Sequence, residues 1–326
     1  MIRTAECVSP MHPDKMCDRI SDTLLDLHLT HDPYSRVAIE TCGGNGLVYV
    51  TGEVTSEYKI TDEEIIQVVK DITTDDSIEV KINLNTQSPE IAQGVDVGGA
   101  GDQGIMTGYA CRENDQLLPQ EYFLARELNK FIFEKFPYDG KTQITLGKTS
   151  SGREWVRVVA SFQKAPGVEL YGLVNEFFKS YPHYTLEQIH CNPAGDWNIG
   201  GFTADAGLTG RKLAVDNYGP RIPIGGGAFS GKDSTKVDRS AAYMARRVAV
   251  DILEQRPEVQ EVFVQLAYAI GYDEPLQATA VVDGVEEKIQ AYDLSPEGII
   301  DFLNLRKPQF GKTAEFGHMG NNFSWK

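Results

Sequence analysis

A nonapeptide rich in glycine, lysine and aspartate is the stretch of the chain that most strongly indicates chemistry. Residues 225–233 read GGGAFSGKD, and three consecutive glycines let the backbone approach a ligand closely. Lys232 and Asp233 put a cation and a carboxylate beside this turn, and Lys236 and Asp238 follow at the start of a helical pattern. This combination indicates a site for a polyphosphate and its metal ion.

The same nonapeptide nearly matches the phosphate-binding P-loop pattern GxxxxGK[ST]. The match runs from Gly226 through Gly231 and Lys232, and it fails at Asp233, where the pattern needs a metal-binding hydroxyl. A P-loop phosphotransferase, which Asp233 disfavours, and a plain glycine turn followed by solvated charges therefore remain as alternatives.

Three further short motifs each contain an aspartate; two of them add basic residues, and two contain glycine. GAGDQG occupies residues 99–104, HPDK residues 12–15 and DAGLTGRK residues 205–212. HPDK brings a hydrogen-bond donor, a metal ligand and a cation to one point. In DAGLTGRK, Asp205 precedes a turn, and the cations Arg211 and Lys212 follow it.

The composition is that of a globular protein with an acidic net charge. Of 326 residues, 41% are hydrophobic and 24% charged, and the formal net charge is −16. Such a charge disfavours binding to nucleic acid or to an anionic membrane. The basic residues of the motifs are a local exception, which a substrate with concentrated negative charge, such as a triphosphate, would explain.

Cysteine usage and hydropathy predict a cytoplasmic protein. The five cysteines are scattered and never in CxxC spacing, which disfavours a disulfide framework and a structural zinc site. No apolar run reaches the roughly 18 residues of a membrane helix. The stretch MIRTAECVSPMHPDK lacks the apolar core of a signal peptide.

A unit of helix, two strands and helix recurs three times along the chain. Its leading helices are predicted over 13–31, 119–136 and 235–255, and its second helices open at Thr61, at Val168 and at Ser295. Repeats of about a hundred residues favour three similar domains over a solenoid. The hairpins favour an α+β fold of mainly antiparallel sheets with helices on one face. We set boundaries at 1–96, 97–197 and 198–326.

Together these motifs resemble those of the S-adenosylmethionine synthetases (methionine adenosyltransferases). GAGDQG and GGGAFSGKD are the two signature peptides of that family, and both are unbroken here. The resemblance covers nearly the whole chain, because HPDK and four further segments also match in family order: VAIET (37–41), GEVTS (52–56), DGKTQ (139–143) and KVDRSAAY (236–243).

The resemblance implies an enzyme that joins L-methionine to ATP. In the family, the methionine sulfur attacks ribose C5′, the whole triphosphate leaves, and the tripolyphosphate is hydrolysed to phosphate and pyrophosphate. A thioether is a weak neutral nucleophile, so such an enzyme works mainly by alignment and by stabilising the leaving oxyanion. The resemblance also implies three β-α-β domains about a pseudo-threefold axis, with segments exchanged between them.

The resemblance assigns site roles residue by residue. The catalytic residues are His12, which would donate to the departing 5′ oxygen, and Lys141, Arg211 and Lys232. The ATP contacts are Lys15, Asp139, Lys212, Lys236 and Trp197, the last stacking on adenine. The methionine contacts are Glu53, Gln93, Asp102 and Asp205. Asp14 and Asp238 would hold two Mg²⁺ ions, and Glu40 one K⁺ ion.

The same resemblance implies a homodimer or a dimer of dimers, with active sites between subunits. A catalytically weak family member that binds nucleotide and serves as a regulatory partner is the alternative. The intact set of chemical residues disfavours that alternative: His12, Asp14, Lys141, Lys232 and Asp238.

The chain departs from the family pattern at several places. Met11 replaces the usual glycine before His12, and Asp196 replaces the usual arginine. Between Asp96 and Gly99 only two residues remain where the family carries a mobile loop over the active site. The first repeat is also shortened around 56–85. We therefore predict that no segment within 94–104 covers a bound ligand.

Overall fold

The computed structural model describes residues 2–86, 99–320 and 322–326. Its helices are α1 Pro13–His31, α2 Asp62–Thr73, α3 Gln120–Lys135, α4 Gly167–Phe178, α5 Leu213–Asp216, α6 Val237–Gln255, α7 Pro296–Leu303 and α8 Phe310–Phe316. Its strands are β1 Arg3–Val8, β2 Arg36–Gly44, β3 Leu47–Thr55, β4 Glu79–Asn85, β5 Gly104–Cys111, β6 Gly140–Lys148, β7 Glu154–Phe162, β8 Thr185–Cys191, β9 Gly207–Leu208, β10 Glu261–Tyr268, β11 Gln277–Val282 and β12 Val285–Lys288.

Local capping signals explain where several helices begin. At the start of α2 both hydrogen bonds of a capping box form between Thr61 and Glu64. Ser295 accepts a hydrogen bond from the Gly298 amide and caps α7, whose first residue is Pro296. The predicted helices thus form within a few residues of their expected bounds.

Three four-stranded sheets form the framework. The first sheet has the strand order β4-β3-β2-β9, the second β1-β6-β7-β8 and the third β12-β11-β10-β5. The pairs β3–β4 and β7–β8 are parallel, and the other pairs are antiparallel. Helices α1 and α2 pack on the first sheet, α3 and α4 on the second, and α6 on the third with α7 beside it. This architecture confirms the predicted fold class.

The strand before each leading helix belongs to the sheet of another repeat, not to the sheet on which that helix's own repeat is built. β1 precedes α1 but pairs with β6, β5 precedes α3 but pairs with β10, and β9 precedes α6 but pairs with β2. The exchange is cyclic, so each sheet is completed by a segment from another repeat. We therefore expect the three units to fold as one body; the linear boundaries stay a prediction.

The apolar core follows the same division. One continuous cluster joins the first and third units through α1 and α6, with Ile20, Leu24 and Val248 fully buried. A second cluster fills the middle unit around Leu128 and Val158. Within the described ranges, no helix is both long enough and apolar enough to cross a membrane.

A close approach of β5 to α6 predicts a stability effect. A Cβ atom at Gly108 would lie 2.0 Å from the backbone carbonyl carbon of Ala245. Gly108→Ala must push β5 away from α6, so we expect the free energy of unfolding to fall by about 1–3 kcal/mol. Gly172→Ala is the matched control, because Gly172 lies in α4 with open space around its Cβ position.

The control should stabilise the protein by about 0.5–1 kcal/mol, since alanine favours a helix interior over glycine. Denaturant unfolding followed by circular dichroism measures both variants. Equal stability of the two would contradict the proposed packing of β5 on α6.

Candidate active site

Four aspartates spaced by four residues lie along α1, and we call them the aspartate row: Asp14, Asp18, Asp22 and Asp26. Residues at this spacing share one face of a helix. Each carboxylate accepts backbone N–H groups of another segment: those of Leu208 (3.0 Å), Gly210 (2.8 Å), Gly231 (2.8 Å) and residues 309–311 (2.8–2.9 Å), respectively. The row therefore fixes both DAGLTGRK and GGGAFSGKD against one helix.

Asp233, the residue that breaks the P-loop pattern, ties the nonapeptide to β2. Its carboxylate accepts the backbone N–H groups of Val37 (2.6 Å) and Thr235 (2.8 Å) and the ammonium group of Lys236. Burial raises the pKa of Asp233, but the charge of Lys236 and these hydrogen bonds outweigh it and hold the pKa below its usual value. Asp233 is thus an ionised structural anchor within the protein interior.

The turn before Lys232 requires glycine. Gly231 has a φ of +80°, and a Cβ atom there would lie 1.8 Å from the Ile39 carbonyl oxygen. The Ile39 amide donates to the Gly231 carbonyl at 3.0 Å. From this fixed turn the Lys232 ammonium group reaches the Asp238 carboxylate at 2.7 Å.

A fully buried ion pair also holds this turn, on the side that faces the protein interior. Arg239 donates to both carboxylate oxygens of Asp22, at 2.6 and 2.9 Å, and neither side chain is exposed. The guanidinium also donates to the Lys232 carbonyl at 3.0 Å. The bidentate geometry constrains orientation as well as distance, so the pair positions the backbone that carries Lys232.

The two signature peptides meet at the start of α6. A Cβ atom at Gly225 would lie 1.8 Å from the Ile105 carbonyl oxygen, and one at Gly227 would lie 2.2 Å from Asp238 Oδ1. Gly104 is also close, with its Cβ position 3.4 Å from the same oxygen. The glycines thus allow both backbones to surround Asp238. Asp102, two residues before Gly104, is exposed, and its Oδ1 accepts the Gln103 amide at 2.8 Å.

His12 lies at the N-terminus of α1 as a neutral donor. Its Nδ1 accepts the Asp14 amide at 3.2 Å, which leaves the ring hydrogen on Nε2. Burial, and next the charge of Lys212, lower the His12 pKa to about 4. The preceding Met11 does not have a positive φ, so methionine is tolerated there without the strain of a glycine-only conformation.

Cations surround Asp14. Lys212 donates to Asp14 Oδ2, and Arg211 Nε lies 3.7 Å from Oδ1. Burial raises the pKa of Asp14, but the hydrogen bonds from Lys212 and from the Leu208 amide outweigh it and lower the pKa.

Three more predicted residues lie near His12. The charges of Lys141 and Asp205 act on both His12 and Asp139. Asp139 accepts the Gly201 amide at 3.0 Å, and burial raises its pKa. We call the resulting set the histidine group: His12, Asp14, Asp139, Lys141, Asp205, Arg211 and Lys212. Lys232, Lys236 and Asp238 form the nonapeptide group.

The remaining predicted residues lie in different places. Glu40 is exposed on β2, and Glu53 is half-buried on β3, where it pairs with Ala38, so both glutamates share a face of the first sheet. Trp197 donates to Asn192 Oδ1 at 3.3 Å in the segment that leads to Gly201. Lys15 is buried and forms an ion pair with Asp216 at 2.6 Å. Gln93 lies outside the described residues.

Of the 94–104 segment, the structure describes residues 99–104. The Ala100 amide donates to the Tyr272 carbonyl at 2.8 Å, and the Gly271 amide donates to the Ala100 carbonyl at 2.7 Å. Gly99 and Ala100 are therefore fixed against the third unit. Within the part of the chain that is described, no three His, Cys, Asp or Glu side chains are close enough to hold a metal ion on their own.

Asp196 has a structural role in place of the usual arginine. Its Oδ1 accepts the Gly167 amide at 2.9 Å and an Asn192 amide hydrogen at 3.0 Å. Gly167 is the first residue of α4, and the N-cap residue Pro166 supplies no side-chain hydrogen bond. Asp196 therefore caps α4 from a distant part of the chain, where a negative charge suits the helix dipole.

Sequence analysis missed the buried charges behind the site. Asp18, Asp22, Asp216 and Arg239 are all buried and hydrogen-bonded to the motif segments. For Asp18 and Asp22 the sequence did contain a signal: aspartates recur every four residues along the predicted helix 13–31, and carboxylates that become buried need partners. Asp216 and Arg239 had no such signal.

Comparison with known proteins gives one family throughout. Family models of the N-terminal, central and C-terminal domains of S-adenosylmethionine synthetase match residues 1–96, 97–197 and 199–326. The S-adenosylmethionine synthase of Parvibaculum lavamentivorans is 40% identical over 99% of this chain and 95% of its own length. That of Salinibacter ruber is 41% identical, over 99% and 94%.

A solved structure has the same fold. The structure described as an unusual S-adenosylmethionine synthetase from Campylobacter jejuni superposes with a TM-score of 0.87 at 31% identity, and the match covers 99% of this chain and 96% of that one. The Parvibaculum alignment runs over 370 positions against 326 residues here, so at least 44 positions of that relative have no counterpart. On these matches, and on the site that both signature peptides form, this chain belongs to the S-adenosylmethionine synthetase family.

Proposed function

We propose that this chain is a methionine adenosyltransferase that makes S-adenosylmethionine, phosphate and pyrophosphate from ATP, L-methionine and water. One observation carries the proposal: in an acidic chain, Lys141 and Lys212 act on a neutral histidine, and Arg211 joins Lys212 at the neighbouring Asp14. Such a site suits a leaving group with concentrated negative charge.

The chemical step needs alignment and charge stabilisation. As the methionine sulfur attacks C5′, negative charge develops on the departing 5′ oxygen. A neutral His12 would donate to that oxygen through Nε2–H, and Lys212 and Arg211 would stabilise the charge as it moves onto the triphosphate. Donors that are already fixed in place do not have to reorganise during the reaction, which is the usual source of such stabilisation.

The carboxylates present fit Mg²⁺. Asp14 and Asp238 provide hard oxygen ligands, and Mg²⁺ typically takes one or two carboxylates together with substrate phosphates. This explains why neither aspartate belongs to a larger acidic cluster among the described residues. When bound, the ions would offset charge on the departing triphosphate. We assign K⁺ to Glu40, an exposed carboxylate on β2.

Two further subsites complete the proposal. Trp197 would stack on adenine, beside Asp139 and the triphosphate cations. Glu53, Gln93, Asp102 and Asp205 would hold the amino acid end of methionine. Lys236 would contact the triphosphate once it releases Asp233. We propose a cytoplasmic location, since the five cysteines are free.

We propose that the complete site lies between two subunits of a homodimer or a dimer of dimers. The ion pairs described above join residues within the histidine group and within the nonapeptide group. Their anchors on α1, Asp14 and Asp22, are two helical turns apart, or about 12 Å along the axis. Tyr49, Ile105 and Leu208 are exposed apolar side chains on sheet strands. A dimer of roughly 2,000 Å² or more of buried surface would cover such faces.

The direct test incubates purified protein with ATP, L-methionine, Mg²⁺ and K⁺. We expect S-adenosylmethionine, phosphate and pyrophosphate in equal amounts. ATP binding without any of these products would reject the proposal and favour a regulatory partner. Phosphorylation of an acceptor with release of ADP would favour a P-loop phosphotransferase instead.

Lys232→Ala and Asp238→Ala should each lower kcat by about 10²–10³-fold, because Lys232 and the Mg²⁺ ion that Asp238 would hold both stabilise charge that develops as the triphosphate leaves. Lys148→Ala is the matched control: Lys148 forms an exposed ion pair with Glu154 at 2.8 Å on the second sheet. Circular dichroism should show all three variants folded. Near-normal turnover of the Lys232 or Asp238 variant would mean that the nonapeptide is only a structural turn.

Magnesium should bind with the triphosphate rather than alone. In the free protein, Lys212 and Lys232 neutralise the two candidate metal ligands. We therefore expect millimolar Mg²⁺ to leave Tm almost unchanged and Mg²⁺ with tripolyphosphate to raise it, while EDTA abolishes turnover without unfolding. A large rise of Tm with Mg²⁺ alone would show a preformed metal site and contradict this account.

The short link before Gly99 should leave the site open. Ligand-dependent protection from hydrogen exchange within 94–104 should be limited to direct contacts. Strong protection of the whole segment on adding S-adenosylmethionine, or a liganded structure with these residues folded across the methionine, would refute an open site.

A further inference from the structure

A buried ionic triad lies behind the cations of the DAGLTGRK motif. The Lys15 ammonium nitrogen is 2.6 Å from Asp216 Oδ1 and 3.2 Å from Asp18 Oδ2. All three side chains are nearly inaccessible, and Lys15 is 1% exposed. Resemblance alone assigned Lys15 to ATP.

Both ends of the segment that carries Arg211 and Lys212 are held by this triad. On one side, Asp18 accepts the Gly210 amide at 2.8 Å. On the other, Asp216 ends the short helix α5 that begins directly after Lys212, and its amide donates to the Lys212 carbonyl at 2.8 Å. Lys15 joins the two sides by pairing with both carboxylates.

We infer that Lys15 is a positioning residue for Arg211 and Lys212, and that it makes no contact with ATP. The inference rests on the proposed function and deepens it. A lysine that is buried in an ion pair with two carboxylates presents no free ammonium group to a ligand in the site.

Energetics favour a positional role. Isolated buried charges are costly, and removing one partner from a buried pair leaves the others uncompensated. Loss of Lys15 would leave two buried carboxylates facing each other, and their repulsion would separate the Gly210 and Asp216 ends of the segment. The Lys212 side chain would then shift relative to Asp14 and His12, although its own chemistry is unchanged.

Lysine labelling of the unmodified enzyme tests whether Lys15 contacts ATP. Amine acylation followed by mass spectrometry is carried out with and without Mg²⁺-ATP. Lys141, 45% exposed in the histidine group, should react and be protected by ATP. Lys148, 64% exposed and remote, should react in both states. Lys15 should react in neither. Reaction of Lys15 in the free enzyme with protection by ATP would overturn the inference.

A rescue experiment tests the positional role. Lys15→Met should lower kcat by about 10-fold or more, because the two uncompensated carboxylates would separate and displace Lys212 from its working position. Adding Asp216→Asn removes the excess negative charge and should recover most of that loss. The matched control adds Asp216→Asn to Lys212→Met, where no recovery is expected, because the missing ammonium group cannot be replaced by repositioning.

Wild-type kcat in Lys15→Met, or a Lys15→Met/Asp216→Asn variant no better than folded Lys15→Met, would overturn the positional role. If Lys15→Met does not fold, labelling still decides the assignment and the double variant is compared with wild type. Failure of the proposed function is separate: the unmodified enzyme would make no S-adenosylmethionine, whereas labelling with Mg²⁺-ATP would still report on Lys15.

Discussion

The buried carboxylates of α1 are the constraint on which the rest of the site depends. A buried backbone N–H must be paired, and a buried carboxylate must be compensated. The aspartate row meets both needs at once, since each member accepts backbone amides of another segment. Asp14, Asp18 and Asp22 also each pair with a cation: Lys212, Lys15 and Arg239. Asp26 accepts the three amides at the start of α8, and burial raises its pKa to about 6.

This arrangement explains how so many charged side chains can be held close together before a substrate binds. In the free protein, Lys212 pairs with Asp14 and Lys232 with Asp238. A triphosphate with its metal ions supplies new partners to both sides, anionic oxygens for the lysines and cations for the aspartates. Partners are exchanged while the local charge stays balanced, and the backbone that carries each group is held by separate, deeper ion pairs. The reacting groups can therefore change partners without loss of their positions.

The sequence was sufficient to predict what depends on local signals. The capping box at Thr61, the glycine turn at Gly231 and the antiparallel hairpins all form as expected. It was insufficient for pairings between distant segments: β1, β5 and β9 were not predicted, because nothing local specifies a partner a hundred residues away. Lys15 shows the same limit at the site, since a motif lysine that faces a ligand and one that is buried in an ion pair have the same sequence pattern.

The central claim of this account is that two groups of site residues are both held on one helix, and that each active site is completed across a subunit interface. It is tested most directly by mixing two inactive variants, Lys212→Met and Lys232→Met, after dissociation and reassociation. In a mixed dimer one site would combine the intact histidine group of one subunit with the intact nonapeptide group of the other. Random mixing should then restore about a quarter of wild-type activity, because half the dimers are mixed and each has one working site. No recovery in demonstrated mixed dimers would show that each site lies within a single subunit and contradict the account.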